Sequence, residues 1–333
     1  GSSGDVARCC DTGGEEARVA RRVATGPLDD NPTVEARQVA LELVQLRQEA
    51  GLERDDVLAQ VKARNGRMSK AKLGHLETGR NQPKYTDLEM LTSIYGRPDR
   101  LAELRERVGK AKKRGWWEDP ANPDRDGPEG FRRFLGLEQG AVKLEIWQPN
   151  ALTGLLQPKD FAETMIAAST PPAPRSDANA GEMPVLDLSP EAVRERADIR
   201  TQRQGVLDRA EVHIVLGEMA LRTRVGDDEL MRSTLAHIEQ VAAKPNVTIQ
   251  FLLGRSGPHR GQHGPFTRIA LPYADEVDDL GVIYLEDLHR SRFIEEREHV
   301  EVYNAVFAEL AQLAEPPDRT PEILRQFAKE LYT

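Results

Sequence analysis

The stretch Ser69–Pro83, SKAKLGHLETGRNQP, decides how the front of the chain folds. Ser69 can cap a helix, because its hydroxyl accepts a hydrogen bond from a backbone N–H that the first turn leaves unpaired. Leu73 and Leu76 lie three apart and give that helix one apolar edge. Lys70, Ala71, Lys72 and His75 then fall on exposed surface in its N-terminal half. Gly79 stands where a helix ending just before it needs a residue tolerant of positive φ. Arg80, Asn81 and Lys84 follow on the exit loop. A short capped helix with hydrogen-bonding side chains at its start has the size and chemistry to enter the major groove of double-stranded DNA.

Upstream, Leu43-x2-Leu46-Arg47-x3-Gly51-Leu52 reads as an earlier helix and the turn that leaves it. With Ser69-x3-Leu73-x2-Leu76-Glu77-x-Gly79-x3-Pro83 it resembles the XRE (Cro/CI-type) helix-turn-helix family, over about a fifth of the chain. The resemblance implies that the stretch from Ser69 is the recognition helix. On that basis Lys70, Ala71 and His75 face base edges, while Ser69, Lys72, Arg80, Asn81 and Lys84 hold phosphates and set orientation. It also implies a partly buried, structural ion pair between Arg47 and Glu77. A buried carboxylate needs a partner, and a guanidinium can give it two hydrogen bonds. Dimers on two half-sites and small companion proteins are further implications. One departure stands out. Lys62 to Met68 fills the interval before the recognition helix, roughly five residues more than usual, with Asn65-Gly66 as its turn pair. Val57 takes the second helix's anchor position, Leu58 follows, and Ala59 comes one late, which leaves the crossing of the two helices and the groove docking open.

Totals bound the rest. The chain has 333 residues and a formal net charge of −9, consistent with two or three domains. An acidic total does not exclude DNA, because local charge governs docking. From Lys62 to Lys84 the bases Lys62, Arg64, Arg67, Lys70, Lys72, Arg80 and Lys84 stand against the single acid Glu77. No apolar run approaches the ~18 residues of a membrane span, so no membrane partner is expected. The cysteines are the neighbours Cys9 and Cys10, which argues against a disulfide scaffold and for a reducing, cytoplasmic setting.

The expected fold is mainly α with an α/β C-terminal part. Residues 1–30 read as a flexible segment, 31–114 as a five-helix XRE-type DNA-binding domain, and 115–333 as a larger mixed α/β domain with a loop insert at 169–189. In the first domain Asn31-Pro32 opens a helix with Val39, Leu43 and Leu46 inward, and a second runs from Arg54 to Ala63. Leu88, Leu91 and Ile94 mark a fourth, and Pro98 opens a fifth. Trp116-Trp117 is expected to pack two domains together, with Asn122–Gly130 a linker. Trp116-Trp117, Phe131, Phe134-Leu135-x-Leu137-Glu138, Trp147, Gly154-Leu155-Leu156-Gln157 and Phe161 resemble the C-terminal domain of WhiJ-like regulators, whose biochemistry is undetermined. Thr153 and Pro158 depart from that pattern.

Ser189-Pro190 begins a helix that carries Arg194, Arg196, Arg200 and Arg203. Val212–Leu216 and Val247–Leu252 are β-branched runs separated by a helix, a pattern that predicts parallel strands. Pro265–Leu271 and Val282–Leu285 read as further strands, and Val300–Leu313 and Pro321–Tyr332 as closing helices.

Glu218 and Arg222 after the first of these strands, the loop Gly257–Gly264 with His259 and His263, and Glu286 with Asp287 at a later strand end form a candidate ligand pocket, since α/β sheets bind at strand ends. Zinc on the histidine pair and an anion pocket are both open; bracing of the loop against the sheet is favoured, and no metal or cofactor is assigned. Among motifs, GxGxxG, Walker A, G-x-S-x-G and HExxH are missing, so support for an enzyme is thin. The leading expectation is a homodimeric DNA-binding transcriptional regulator whose C-terminal domain senses a small-molecule effector or a partner protein. The alternatives are an enzyme or small-molecule-binding protein that keeps the helix-turn-helix as scaffold, and an antitoxin-like interaction module.

Overall fold

The computed structural model describes residues 31–118, 130–168, 189–272, 280–287 and 291–332. The expected flexible start, with Cys9 and Cys10, most of the expected linker at 122–130 and most of the insert at 169–189 lie outside the described residues.

Five α-helices form the N-terminal unit: α1 (Pro32–Glu49), α2 (Arg54–Ala63), α3 (Lys70–Glu77), α4 (Tyr85–Ile94) and α5 (Leu101–Ala111). The start of α1 has a local cause. Asn31 Oδ1 accepts from Thr33 N at 3.0 Å and Val34 N at 3.1 Å, and Pro32 sits in the first turn, where its missing N–H costs nothing. Gly51, Gly79 and Gly96 adopt φ of +65°, +66° and +72° just after α1, α3 and α4, the left-handed region that an L side chain enters at a cost. Val39, Leu43, Leu46, Val57, Val61, Leu73, Leu76, Leu88, Leu91 and Leu104 close one apolar core.

α1 serves two cores. Its C-terminal half belongs to the helical unit, whereas Val34 is buried in the core of the larger unit. There α1 meets α6 (Phe131–Gly140), an element with no periodicity assigned to it from sequence. Asn31 Nδ2 donates to Gly136 O at 2.9 Å. A Cβ on Gly136 would overlap Thr33, and one on Gly140 would overlap Val34. The two glycines therefore let side chains of α1 lie directly against the backbone of α6. Arg37 of α1 also reaches Glu295 at 2.9 Å, a carboxylate shared with Arg133 of α6. Two arginines outweigh burial and hold the Glu295 carboxyl below the ordinary range.

The larger unit is a six-stranded mixed sheet in the order β3-β2-β1-β4-β5-β6, with β1 (Lys143–Gln148), β2 (Glu211–Gly217), β3 (Val247–Leu252), β4 (Phe266–Ala270), β5 (Val282–Glu286) and β6 (Ser291–Ile294). β2 and β3 are parallel as expected, and β1 is parallel to β2. β4, β5 and β6 follow in antiparallel pairs. Neither β1 nor β6 was expected as a strand. β1 alternates Leu144 and Ile146 with Lys143 and Glu145, and its charges find partners on neighbouring strands: Lys143 with Glu211, Glu145 with Arg268.

Helices cover both faces. α7 (Lys159–Ala168), α8 (Pro190–Arg203), the short α9 (Met219–Arg222), α10 (Asp228–Ala242) and α12 (Thr320–Leu331) accompany the main core of Leu144, Ile146, Ile214, Ile249 and Phe251. α11 (Arg297–Leu313) covers the opposite face, with Val300, Phe307 and Leu310 on Trp147, Val215 and Ile283. His213 is structural. Its Nε2 donates to Gln250 Oε1 at 2.7 Å and its ring meets Phe307 edge-on at 5.0 Å. The Gln250 amide nitrogen is spent on Ala311 O and Glu315 O, which fixes the imidazole tautomer. Trp117 enters the main core, with Trp116 edge-on to it at 5.8 Å.

Candidate nucleic-acid interface

α3 is built as its sequence dictates. Ser69 Oγ accepts from Lys72 N at 3.1 Å. Leu73 and Leu76 are buried. Asn81 N donates to His75 O at 3.2 Å and closes the exit. Ser69, Lys70 and Ala71 are exposed, Lys72 and His75 half-buried, and Arg80, Asn81 and Lys84 exposed. The leading edge of the helix therefore faces solvent while its apolar edge faces the core.

Two of the lysines already have acidic partners. Lys70 Nζ lies 2.9 Å from Asp55, and both side chains are more than two-thirds exposed, so the pair is weak and exchanges readily for a phosphate or base. Lys72 Nζ lies 2.6 Å from Asp87, which is mostly buried and whose other oxygen accepts Lys84 N at the start of α4. That second pair ties α3 to α4 as well as offering charge to a ligand.

The carboxylate of Glu77 is fully buried and gripped from two sides. Arg47 Nε donates at 2.7 Å to Oε1, and Arg54 Nε donates at 2.6 Å to Oε2. Arg47 Nη1 also donates to Leu52 O at 2.9 Å, on the turn after α1. The pair implied by the resemblance is present, and Arg54 makes it a clamp. Sequence reasoning missed Arg54 because it opens α2, where an arginine reads as surface. Burial and then the Glu77 charge push the neighbouring Tyr95 hydroxyl far above the phenol range, so it stays neutral.

The lengthened turn is packed, not loose. Asn65 takes φ +57°, and Gly66 N donates to Val61 O at 2.9 Å. A Cβ on Gly66 would overlap Met90 and Val61, so this glycine lets the loop lie against α4. Met68 packs on the helical core, while Lys62, Arg64 and Arg67 remain exposed beside α3.

The five residues expected to share a C-terminal pocket are dispersed. His263 and Glu286 line one cavity with Arg260 and Arg292. Glu218 and Arg222 line a different one beside Arg255 and Arg319. Glu218 accepts Gly254 N at 2.8 Å and Arg222 Nε at 2.6 Å, and these bonds hold its carboxyl below the ordinary range. His259 lies edge-on to Trp147 at 5.5 Å, and Trp147 Nε1 donates to Gly261 O at 2.8 Å. The glycine loop is thus braced on the sheet. Among the described residues no three His, Cys, Asp or Glu side chains gather to hold a metal ion.

A family model described as a domain of unknown function (DUF5753) matches residues 131–326, more than half of the chain. The chain belongs to that family. A second model, described as a helix-turn-helix domain, matches residues 38–107 and supports DNA binding by the N-terminal unit. Its first matched residue falls inside α1, close to where that helix passes from the DUF5753 core into the helical core. No curated protein and no solved structure matches the chain. Among the described residues no helix is long and apolar enough to cross a membrane.

Proposed function

We propose that the chain is a sequence-specific transcriptional regulator of XRE type, with a DUF5753 domain of the WhiJ-like kind that senses a small molecule or a companion protein. α3 enters the major groove. Lys70 and His75 offer hydrogen bonds to base edges, and the Ala71 methyl meets thymine. Ser69, Lys72, Arg80, Asn81 and Lys84, with Arg64 and Arg67 from the packed turn, hold phosphates. Two protomers bind two half-sites of a cytoplasmic, nucleoid-associated operator.

One observation carries this reading: the leading edge of α3 is exposed while the same helix is locked from behind by the buried Arg47–Glu77–Arg54 clamp. A helix of eight residues has little stability alone, so a buried anchor is what lets it present side chains in fixed register.

The test is the salt dependence of affinity on an operator selected from random duplexes. The five cations assigned to phosphates, Lys72, Arg80, Lys84, Arg64 and Arg67, predict a slope of log K against log salt of about −4.5 per protomer. A slope near zero removes phosphate neutralisation and with it the proposal.

A further inference from the structure

We propose that the crevice at the ends of β1 and β5 binds a small aromatic carboxylate carrying a second, hydrogen-bond-donating group. That this ligand is the effector rests on the regulator reading above; the crevice itself does not.

The placement follows from topology. β1, β2, β3 and β5 run in one direction, and β4 runs against them between β1 and β5. Gln148 at the end of β1, Phe266 at the start of β4 and Glu286 at the end of β5 therefore meet at one rim, outside the carboxyl ends of the strands. Open α/β sheets receive ligands there. The crevice holds about 300 Å³, the lower end of the range for small-molecule sites.

Its chemistry is two-sided. Phe131, Phe134 and Phe266 supply apolar wall, and Phe134 stacks on Tyr284 at 3.9 Å with ring planes 16° apart. Flat rings bordered by flat rings suit an aromatic body. Arg203 is buried, and Glu138 takes its Nε and Nη2 at 2.8 and 2.9 Å. Its third nitrogen, Nη1, passes Gly154, where a Cβ would stand 3.2 Å away. The glycine of the Gly154-Leu155-Leu156-Gln157 run thus makes room for the guanidinium at the crevice. Gln157 Oε1 accepts Arg200 Nη1 at 2.7 Å, and Gln157 is itself held by Leu152 O. A second guanidinium is thereby oriented on the same rim. In the same lining, Glu286 Oε2 accepts the Tyr284 hydroxyl at 3.0 Å, and Oε1 has no hydrogen-bond partner among the described residues. Guanidinium and carboxylate in one lining select an acid that also carries a donor.

The crevice also touches the route to α3. Phe131, Phe134 and Glu138 sit on α6, whose Gly136 and Gly140 lie against the first turn of α1. The far end of α1 supplies Arg47 to Glu77. A ligand that favours one placement of α6 biases both cores through contacts that are all packed.

The experiment is calorimetric titration of the full chain, without DNA, with 4-hydroxybenzoate, benzoate and benzylamine. The expected order is 4-hydroxybenzoate, then benzoate, with benzylamine at least about tenfold weaker than the first, as loss of a charge-assisted hydrogen bond predicts. Glu286→Gln should narrow the gap between the two acids, and Arg200→Gln should weaken both acids about tenfold while leaving benzylamine unchanged. Saturable binding to the full chain that neither variant alters, binding of benzylamine equal to the acids, or no saturable binding of any probe overturns the proposal. Adding 4-hydroxybenzoate to the operator titration separates the two claims. Binding in the crevice with unchanged DNA affinity refutes the effector role and leaves the crevice assignment standing.

Discussion

Replacing Glu77 by alanine removes the carboxylate that Arg47 and Arg54 share. Its side chain is fully buried, Arg47 is 10% exposed and Arg54 43% exposed. Without Glu77, Arg54 turns back to water, but Arg47 is left buried with Leu52 O as its acceptor. Stranding one member of a buried pair costs about 3–5 kcal/mol. Arg54→Ala leaves Glu77 its contact to Arg47 and removes a half-exposed, screened partner, so it costs only about 1 kcal/mol. Urea unfolding followed by far-UV circular dichroism reads the difference. With a slope of about 1–3 kcal/mol per molar urea, Glu77→Ala should lower the midpoint of the helical-unit transition by about 1–5 M. The double replacement Arg47→Met with Glu77→Leu should recover most of that loss, because an apolar pair of similar volume needs no charge compensation. Equal midpoints for Glu77→Ala and Arg54→Ala would refute the reasoning, since they would show that burial does not govern the cost.

Gly140→Val pushes a branched side chain into Val34 at the contact of α1 and α6, and overpacking of this sort should cost about 1–3 kcal/mol in thermal unfolding; a neutral result would mean the two cores are not coupled there. Burial holds the His213 pKa below its ordinary value, as it does for His237. The neutral rings suit the fold, so their contribution is complete above the unfolded pKa of about 6.5 and falls as pH drops from there toward the depressed native values. Thermal midpoints should decline below about pH 6.5, and His213→Gln should flatten the decline without abolishing it. Lys70→Ala, which breaks only an exposed pair, should leave stability within about 0.5 kcal/mol of the parent while weakening DNA binding. Lys72→Ala should lower both, because it also uncouples Asp87 from α3.

Much of the helical unit was legible because its signals are local. Ser69 as cap, Gly51 and Gly79 as stops and the leucine spacing all act within one turn of the residues they organise, and α2 and α3 begin and end where those residues put them. The parallel pair β2 and β3 was legible for the same reason, as two unbroken β-branched runs flanking a helix. β1 was not, because its charges at Lys143 and Glu145 are neutralised by residues from β2 and β4 that lie far away in the chain. Likewise α1 gave no sign that it belongs to two cores, since Gly136 and Gly140, which admit it, lie about a hundred residues on. The candidate pocket failed as a group through geometry. Residues at several strand ends were placed together, but His259 folds onto Trp147 while Glu218 and Arg222 serve a separate rim. Of that set, Glu286 lines the crevice assigned here, in the company of Arg203 and Phe134, which no local pattern connects to it.

α3 is the element proposed to read DNA. The direct measurement is fluorescence anisotropy of the Lys70→Ala/His75→Ala double variant and of Arg80→Ala, each titrated against the selected operator and a scrambled duplex at fixed salt. The account predicts that the double variant loses the preference for the operator, while Arg80→Ala weakens both duplexes alike. Operator affinity unchanged in the double variant, with its fold intact by circular dichroism, would contradict it.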